Sequence, residues 1–273
     1  MTESAGRGFV VADIVDALAQ INVRRGDTVV MHSSLMHLGR PSDSSLSEYP
    51  KRVIEAVMSY LGEDGTLAVP APNYDYGSKG LPFDLRRSPV ERSMGVCSAH
   101  AMTLPNVQRS PNPIFSVACL GRHAVEVCHP DTGTAFGAES AWDRLLAMDA
   151  RILMLGSGVD DMTFIRYIEF RFGVPYLYNK MFATPVLDGD RPLPVTVTAP
   201  LRYPHCPATY DLSRFRDRLR GAGVLREAAL GQGTAAMVAM ADCYRLGIEA
   251  LREDVHFFLR EAPRYVPGEV PVA

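Results

Sequence analysis

The sequence predicts an α/β protein built around a central sheet. Short apolar runs that indicate buried strands occur in "TVVMH" (28–32), "EDGTLAVP" (63–70) and "RILMLGSG" (151–158). A segment with the apolar spacing of a helix precedes each of them, and this alternation is typical of α/β folds. The chain has 273 residues, of which 47% are hydrophobic, so it can bury a sizeable core.

The first predicted helix has apolar residues at spacings of three and four: Val11, Ile14, Leu18 and Ile21. The strand at 28–32 follows it. A second helix is predicted in "LSEYPKRVIEAVMSYLG" (46–62), where Pro50 suits the first turn and Gly62 the position after the last turn. The run at 63–70 then supplies a turn and the second strand.

The second half of the chain continues the alternation and then changes. A helix around "SAWDRLLAMD" (140–149) precedes the third strand. After Phe182, "FATPVLDGDRPLPVTVTAP" (182–200) predicts a hairpin around its "DGD" turn. A charged segment follows at 211–223, and "GTAAMVAMADCYRLGIEALRED" (233–254) is predicted to be one long closing helix. We therefore expect one domain over residues 1–273.

Within that domain we expect a core over 8–182 and a C-terminal extension over 183–273. Prolines at 70, 72, 82 and 89 mark a long irregular segment between about 70 and 93. Loops of that length are uncommon unless they are functional or disordered.

Composition excludes several classes of function. A net charge of −3 and a pI near 6.2 argue against a general nucleic-acid binder. No apolar stretch approaches the ~20 residues that span a bilayer, and the N-terminus lacks the apolar run of a signal peptide. Five cysteines without a CxxC pair favour reduced thiols, namely Cys97, Cys119, Cys128, Cys206 and Cys243. We expect a soluble cytoplasmic protein with no membrane partner.

No metal site is expected, because the histidines near Cys128 lack metal-ligand spacing: His123 and His129. Cys97 would be a nucleophile only with a base beside it, and His100 lies three residues further on. A buried, inert thiol is the preferred interpretation of Cys97.

The first candidate site is "MHSSLMHLGR" (31–40). His32, Ser33 and Ser34 follow a predicted strand, and ligands of open α/β proteins bind at the carboxyl ends of strands. A polar turn with one hydrogen-bonded histidine is the alternative, and the motif alone favours it.

The second candidate is "GSGVDDMTFIRYIEF" (156–170), where Thr163, Arg166 and Glu169 share one helix face. Glu169 could act as a general base or orient one, and a surface ion pair with Arg166 is the alternative. A third candidate, in "GVPYLYNKMF" (173–182), has three polar residues that alternate: Tyr176, Tyr178 and Lys180. They could point to one spot and bind an anionic or polyhydroxylated ligand, or lie on a half-exposed strand without a ligand.

The stretch "RSPNPIFSVACLG" (109–121) holds Asn112 between two prolines, which constrains its backbone. The loop either presents Asn112 and Ser116 for chemistry or forms a stiff entrance to a buried strand. The residues alone leave both possibilities open.

Six segments, in this order, resemble the aminoglycoside N3-acetyltransferase family, also called the antibiotic N-acetyltransferase family. They are "GDTVVMHSSLMHLG", "GTLAVPAPNY", "FDLRRSPVERSMG", "RSPNPIFSVACLG", "TAFGAESAWDRLLAMDARILMLGSGVDDMTFIRYIE" and "VPYLYNKMF". They cover about 10–182, and "LGQGTAAMVAMADCYRLGIEAL" matches more loosely. The resemblance implies a three-layer α/β/α sandwich with a central mixed sheet and a C-terminal hairpin-plus-helix extension, unlike the GNAT acetyltransferase fold.

The resemblance also implies an activity: transfer of an acetyl group from acetyl-CoA to an amine of an aminosugar or other small polar metabolite, without a covalent acyl-enzyme. It places five residues along CoA: His32, Ser33, Ser34, Met94 and Gly95. It matches Glu169 to a carboxylate beside the acceptor amine and Ser116 to a serine near the thioester, and Asn112 stands where other members have a histidine. The acceptor side would include Tyr74, Arg166, Tyr176, Tyr178 and Lys180.

The sequence departs from the family pattern at the base. Where antibiotic-modifying members read His-Pro-x-His-Ser, this chain reads Asn-Pro-Ile-Phe-Ser, so Phe115 stands in place of the general base. Arg166 replaces a further histidine, and Ala99 replaces a common glutamate. Loss of a well-placed base typically costs ~10²–10⁴ in rate.

Three functions remain. The favoured one is an acyl-CoA-dependent N-acyltransferase in which Glu169 takes the amine proton, or in which the amine arrives neutral. The second is a biosynthetic enzyme that uses a different thioester donor, such as an acyl carrier protein, or catalyses a different reaction. A carrier-protein donor predicts a basic patch from Arg24, Arg25, Arg86, Arg87 and Arg92, and scattered surface arginines are the favoured alternative. The third is a non-catalytic binding module with a CoA-shaped fold. A homodimer stays possible, since the apolar residues of the last helix fit a core or an interface equally.

Overall fold

The computed structural model describes residues 9–204 and 208–264. Residues 1–8, which belong to the N-terminus discussed above, and Cys206, one of the five cysteines, lie outside these ranges. The strands of the described residues are β1 (Thr28–Ser33), β2 (Thr66–Pro70), β3 (Phe83–Asp84), β4 (Gln108–Arg109), β5 (Val117–Gly121), β6 (Arg151–Leu155), β7 (Leu177–Phe182), β8 (Val186–Asp188), β9 (Arg191–Pro192), β10 (Val197–Arg202), β11 (Arg226–Leu230) and β12 (Gly233–Ala239).

The α-helices are α1 (Asp13–Gln20), α2 (Leu35–Leu38), α3 (Tyr49–Leu61), α4 (Asp75–Lys79), α5 (Gly95–Ala101), α6 (Ala124–Val127), α7 (Ala141–Ala147), α8 (Phe164–Phe172), α9 (Ser213–Gly221) and α10 (Met240–Glu253). Two 3₁₀ turns lie at Arg92–Met94 and Val159–Asp161. The predicted helices before the three strands are confirmed as α1, α3 and α7. Gly62 caps α3 with φ +78°, a conformation that a β-carbon disfavours.

A seven-stranded mixed sheet forms the middle layer, in the order β11-β12-β6-β1-β2-β5-β4. β1 runs parallel to both β2 and β6, and the outer strands pair antiparallel. The mixed sheet that the sequence predicted is confirmed.

Side chains on alternate strand positions divide between two hydrophobic clusters. Val29 and Met31 of β1 pack in one cluster with α1, α3 and α5, whereas Val30 faces the other. That second cluster contains apolar residues of α7, α8 and α10, with Trp142 almost fully buried at its centre. The period of two along β1 therefore produces the three-layer α/β/α arrangement.

The prediction of one long closing helix over 233–254 is wrong in its first third. Residues 233–239 form β12, which pairs antiparallel with β6, and α10 begins at Met240. The alanines of this stretch favour a helix locally, but pairing with the free side of β6 stabilises the extended form instead. The predicted core over 8–182 is likewise incomplete, because two strands of the same sheet come from the extension.

The predicted hairpin is confirmed at its turn, where β8 pairs with β9 around Gly189. Its second strand is shorter than expected. β10 instead pairs antiparallel with β7, and Lys180 lies opposite Ala199. The β7–β10 ribbon forms one wall of the site described below.

Within the described ranges, every helix is too short or too polar to cross a bilayer. The four cysteines of these ranges are free and buried. Burial raises the pKa of the Cys97 thiol to about 11, against a hydrogen bond with Ser33 that lowers it. Cys97 is therefore a protonated core residue, the preferred interpretation of its sequence context.

Candidate functional site

A cleft of about 360 Å³ opens between α4, α8 and the β7–β10 ribbon. Tyr74 and Ser78 line it on one side, and Phe115 reaches it from the loop before β5. Arg166 of α8 also lines it. The ribbon contributes Leu177, Lys180, Phe182, Pro200, Leu201 and Arg202.

Glu169 is paired with Arg166 but does not line the cleft, and none of its side chain is exposed. Its Oε1 accepts a hydrogen bond from the Tyr176 hydroxyl at 2.7 Å, and its Oε2 accepts one from the Tyr210 hydroxyl at 2.9 Å. Arg166 Nη1 donates to Oε2 at 3.1 Å. Burial raises the pKa of Glu169 to about 7, against the opposing effects of Arg166 and Tyr176.

Arg166 separates Glu169 from the cleft. Its guanidinium lies 3.5 Å from the centre of the Tyr210 ring, in a cation–π contact. Burial lowers the pKa of Arg166, and Glu169 is the main group that opposes this. The predicted Arg166–Glu169 pair is thus present, but as a buried network rather than a surface ion pair.

Asn112 is buried and makes four hydrogen bonds to backbone groups. Its Nδ2 donates to the carbonyls of Gly133 (2.6 Å) and Thr198 (3.0 Å). Its Oδ1 accepts from the amides of Ile114 (3.1 Å) and Phe115 (3.0 Å). Because both ends of the amide are occupied, Asn112 holds the loop instead of facing a substrate.

Ser116 is also buried, and its hydroxyl donates to the carbonyl of Ser110 at 2.9 Å. It does not line the cleft, so the structure places it inside the loop that Asn112 holds. The sequence left two possibilities for this loop: it presents Asn112 and Ser116 for chemistry, or it forms a stiff entrance to β5. The contacts of both side chains favour the stiff entrance.

Phe115 is the residue of this loop whose ring faces both core and cleft. The ring packs 4.5 Å from that of Phe136, centre to centre, and the Phe115 carbonyl accepts a hydrogen bond from Trp142 Nε1 at 2.8 Å. The position expected of a general base thus carries an apolar wall that cannot accept a proton.

The predicted CoA-contacting residues meet at the carboxyl end of β1. A β-carbon on Gly95 would lie 3.3 Å from the Ser33 carbonyl oxygen, so the turn at Met94 and Gly95 sits against the strand end. Ser34 N donates to the Leu155 carbonyl at 2.8 Å, which joins this end to that of β6.

His32 and Ser157 add unpaired polar atoms to the same sheet edge. His32 Nε2 and Ser157 Oγ are buried without a hydrogen-bond partner among the described residues. Burial lowers the pKa of His32 to about 4, so its imidazole is neutral at pH 7. Buried polar atoms without a partner are uncommon, and these two lie just beneath the surface of this sheet edge.

The structure does not bring Tyr176, Tyr178 and Lys180 to one spot. Lys180 lines the cleft, but Tyr176 precedes β7 and is buried against Glu169. Tyr178 packs its ring 5.2 Å from that of Tyr203, centre to centre. Tyr176 departs from the expected alternation because it lies outside the strand, whereas Tyr178 and Lys180 both lie in β7.

Sequence reasoning missed Arg202 and Tyr210, which contribute a cation to the cleft and a hydrogen bond to Glu169. Both lie after residue 182. Arg202 ends β10, which pairs with β7, and Tyr210 forms an isolated bridge with Leu259. A charged residue beside the aromatic in "LRY" (201–203) was the local signal available.

Of the five arginines proposed as a carrier-protein patch, Arg92 lies in the turn just before Gly95, whereas the other four lie elsewhere. Arg24 and Arg25 precede β1, at the edge of the sheet opposite to its carboxyl end. Arg86 pairs with Asp188 at 2.5 Å, and Arg87 pairs with Asp190 at 2.9 Å. The charges of these last two arginines are therefore compensated within the chain.

Comparison with known proteins supplies the context for this geometry. A sequence profile described as aminoglycoside 3-N-acetyltransferase matches residues 30–252. Aminoglycoside N(3)-acetyltransferase IV of Salmonella sp is 29% identical over 250 residues, which cover 91% of this chain and 89% of that protein.

Two solved structures extend the comparison. Aminoglycoside acetyltransferase AAC(3)-IVa, in complex with a gentamicin, matches with a TM-score of 0.72 and 26% identity, covering 95% of this chain and 94% of that one. AAC-IIIb, in a binary complex with CoASH, has the same fold, with a TM-score of 0.74 and 22% identity, covering 93% of this chain and 99% of that one.

Proposed function

The chain belongs to the aminoglycoside 3-N-acetyltransferase family, and from this premise we propose that it transfers an acetyl group from acetyl-CoA to an amine of an aminoglycoside or a related aminosugar. One observation supports the proposal above all. Phe115 and Arg166, which stand where antibiotic-modifying members have histidines, line the same cleft. The place where acetyl transfer is expected is therefore an open cleft in this chain.

The reaction needs no external oxidant or base to balance. The amine lone pair attacks the thioester carbonyl, a C–N bond forms, and the C–S bond breaks. The proton that the amine loses is matched by the proton that the CoA thiolate gains. Direct transfer of this kind requires the amine to arrive in its neutral form.

Glu169 acts in this scheme as a positioning residue. Its oxygens already accept hydrogen bonds from Tyr176, Tyr210 and Arg166, and none of its side chain reaches the cleft. We therefore favour an amine that loses its proton before binding over direct abstraction by Glu169. Glu169 keeps the guanidinium of Arg166 fixed beside the acceptor.

The donor would bind at the carboxyl ends of β1 and β6. Backbone and hydroxyl groups of Ser33 and Ser34 lie there beside Gly95, and glycine lets a ligand approach the backbone closely. The neutral His32 and the hydroxyl of Ser157 carry unpaired polar atoms beneath this edge, and a small movement of the turn would bring them to amide or phosphate oxygens of CoA. We place this chemistry in the cytoplasm, where the free thiols of the described residues stay reduced.

A thiol-release assay tests the proposal. The purified protein is incubated with acetyl-CoA and a panel of aminoglycosides and simple aminosugars, and free CoA thiol is measured. Release that requires both the amine and the protein is expected, together with a rise in melting temperature when CoA is added. If no amine releases thiol and CoA does not stabilise the fold, the proposal is wrong.

Two variants refine the test. Ser157→Ala should raise the KM for acetyl-CoA, since it removes an unpaired hydroxyl from the proposed donor site. Ser44→Ala, at a serine on the chain before α3 whose hydroxyl bonds the Ser45 carbonyl, is the matched control. Equal KM values in the two variants would place the donor elsewhere.

A further inference from the structure

Three cations line the acceptor cleft: Arg166 from α8, Lys180 from β7 and Arg202 from β10. None of the described residues that line it is acidic. An aminoglycoside is a polycation, so a surface that receives one would be expected to carry carboxylates. The charge of this cleft has the opposite sign.

Arg166 forms an ion pair with Glu169, whereas Arg202 acts on the same carboxylate only from a greater distance. Arg202 Nη1 donates to the Ala208 carbonyl at 3.0 Å, and Lys180 Nζ lies 5.3 Å from the centre of the Phe182 ring. Within residues 9–204 and 208–264, neither forms an ion pair with a carboxylate.

Many cations elsewhere among the described residues pair with carboxylates. Arg220 pairs with Glu227 at 2.7 Å, and Arg151 pairs with Asp27 at the same distance. With a net charge of −3, the chain has carboxylates to spare. Uncompensated cations that meet in one cleft are therefore a local feature and not a consequence of composition.

The positive charge extends across the cleft. Arg166 and Arg202 share the Tyr210 ring, at 3.5 Å and 5.9 Å from its centre. On the opposite wall, burial raises the pKa of Tyr74 and nearby Glu91 adds to this effect, but Arg166 and Arg202 both oppose it. Both guanidinium groups thus act on a hydroxyl at the far side.

We propose that the acceptor carries an anionic group beside its amine, a carboxylate or a phosphate, which Lys180 and Arg202 bind. The inference rests on the proposed function and narrows its substrate class to anionic aminosugars, such as hexosamine phosphates or amino-uronic acids. Guanidinium and ammonium groups on two walls suit such an anion, and they repel a polycation.

The first experiment compares acceptors at saturating acetyl-CoA. The probes are glucosamine, glucosamine 6-phosphate, 2-amino-2-deoxyglucuronic acid and gentamicin, and released CoA thiol is the readout. We expect kcat/KM for one anionic probe to exceed that for glucosamine by about tenfold or more, with the advantage shrinking as salt is added. The two anionic probes distinguish phosphate from carboxylate.

Charge-reversal variants identify the groups responsible. Lys180→Glu and Arg202→Glu should each lower kcat/KM for the preferred anion by about tenfold or more and leave the KM for acetyl-CoA unchanged. Arg226→Glu, at an exposed position of β11 on the edge of the sheet, is the matched control and should leave both values unchanged. A raised KM for acetyl-CoA in the Lys180 or Arg202 variant would assign these cations to the donor and overturn the proposal.

A binding measurement keeps the proposal independent of turnover. Calorimetry with N-acetylglucosamine 6-phosphate and N-acetylglucosamine compares an anionic with a neutral product analogue. Tighter binding of the phosphate supports the proposal even if no amine releases thiol, an outcome that would refute only the acetyl transfer. The proposal of an anionic acceptor is overturned if the two product analogues bind equally, or if kcat/KM is equal for charged and neutral acceptors.

Discussion

Glu169 illustrates how the fold accommodates a fully buried carboxylate. Three donors from three segments of the chain converge on it: Arg166, Tyr176 and Tyr210. A buried carboxylate without such donors would be strongly destabilising. The same donors that make its burial tolerable also hold its oxygens away from the cleft.

The stability of the protein should depend on pH through Glu169. Its pKa is about 7 in the folded state and 4.5 as an ordinary carboxyl, so the folded state holds the extra proton between these values. The contribution of Glu169 to the free energy of unfolding therefore falls by about 3 kcal/mol as pH rises from about 4.5 to about 7. Denaturant titrations of wild type and Glu169→Gln at several pH values measure it.

The difference between the two proteins isolates this contribution. His32 acts in the opposite direction, because its lowered folded-state pKa makes stability rise with pH between about 4 and 6.5. Since His32 is present in both proteins, its contribution cancels. A difference that stays constant from pH 5 to pH 8 would contradict the raised pKa of Glu169.

Asn112 should contribute to stability rather than to the chemical step. Asn112→Ala leaves the buried amides of Ile114 and Phe115 without their acceptor, and each unpaired amide costs about 1–3 kcal/mol. We expect a loss of about 3 kcal/mol in the free energy of unfolding. Asn179→Ala, at an exposed position of β7, is the control and should change it by less than about 0.5 kcal/mol. An Asn112→Ala variant as stable as the control would show that Asn112 does not hold this loop in place.

At the level of elements, close backbone approach sets the ends of the central strands. Gly121 ends β5 with φ +101°, and a β-carbon there would lie 2.2 Å from the Gly65 carbonyl oxygen. The carbonyl belongs to backbone and cannot move without disturbing the start of β2. Glycine at this position therefore allows β2 and β5 to stay paired to their ends.

Gly121→Ala should lower the free energy of unfolding by more than about 3 kcal/mol, because it combines a backbone clash with an unfavourable φ. Gly223→Ala serves as the control, since φ there is +68° but nothing lies within 4 Å of the added carbon. We expect it to cost about 1–2 kcal/mol from conformation alone. Chemical denaturation of the two variants separates the effects, and equal losses would show that the contact is unimportant.

Elements with a local signal could be predicted from the sequence, whereas those defined by distant pairing could not. α1 and α3 follow from apolar spacing and from Gly62. β12 did not, because its alanines favour a helix and only its pairing with β6 decides otherwise. In the candidate site, Glu169 and Lys180 were within reach of motif reasoning. Arg202 was not, since it reaches the cleft through the pairing of β10 with β7.

For the whole molecule, the sheet cannot be divided at residue 182. β11 and β12 cover one side of β6, and α10 packs against α8 in the same cluster that contains Trp142. A chain that ends at 182 would expose the edge of β6 and much of this apolar surface.

We expect the fragment 1–182 to lack a cooperative unfolding transition, as followed by near-ultraviolet circular dichroism during denaturant titration. Co-expression with the fragment 183–273 supplies the missing strands and should restore it. A cooperative transition in 1–182 alone would mean that the first part of the chain forms an independent core, as the sequence suggested.

The position of β12 also has a consequence for the time course of folding. It pairs with β6 across some 80 intervening residues, and β6 in turn pairs with β1 from near the start of the chain. During synthesis the sheet therefore remains open on one side until the last strand leaves the ribosome. Folding should then be slow, since these contacts are far apart in sequence, and the nascent chain presents an unpaired strand edge in the meantime.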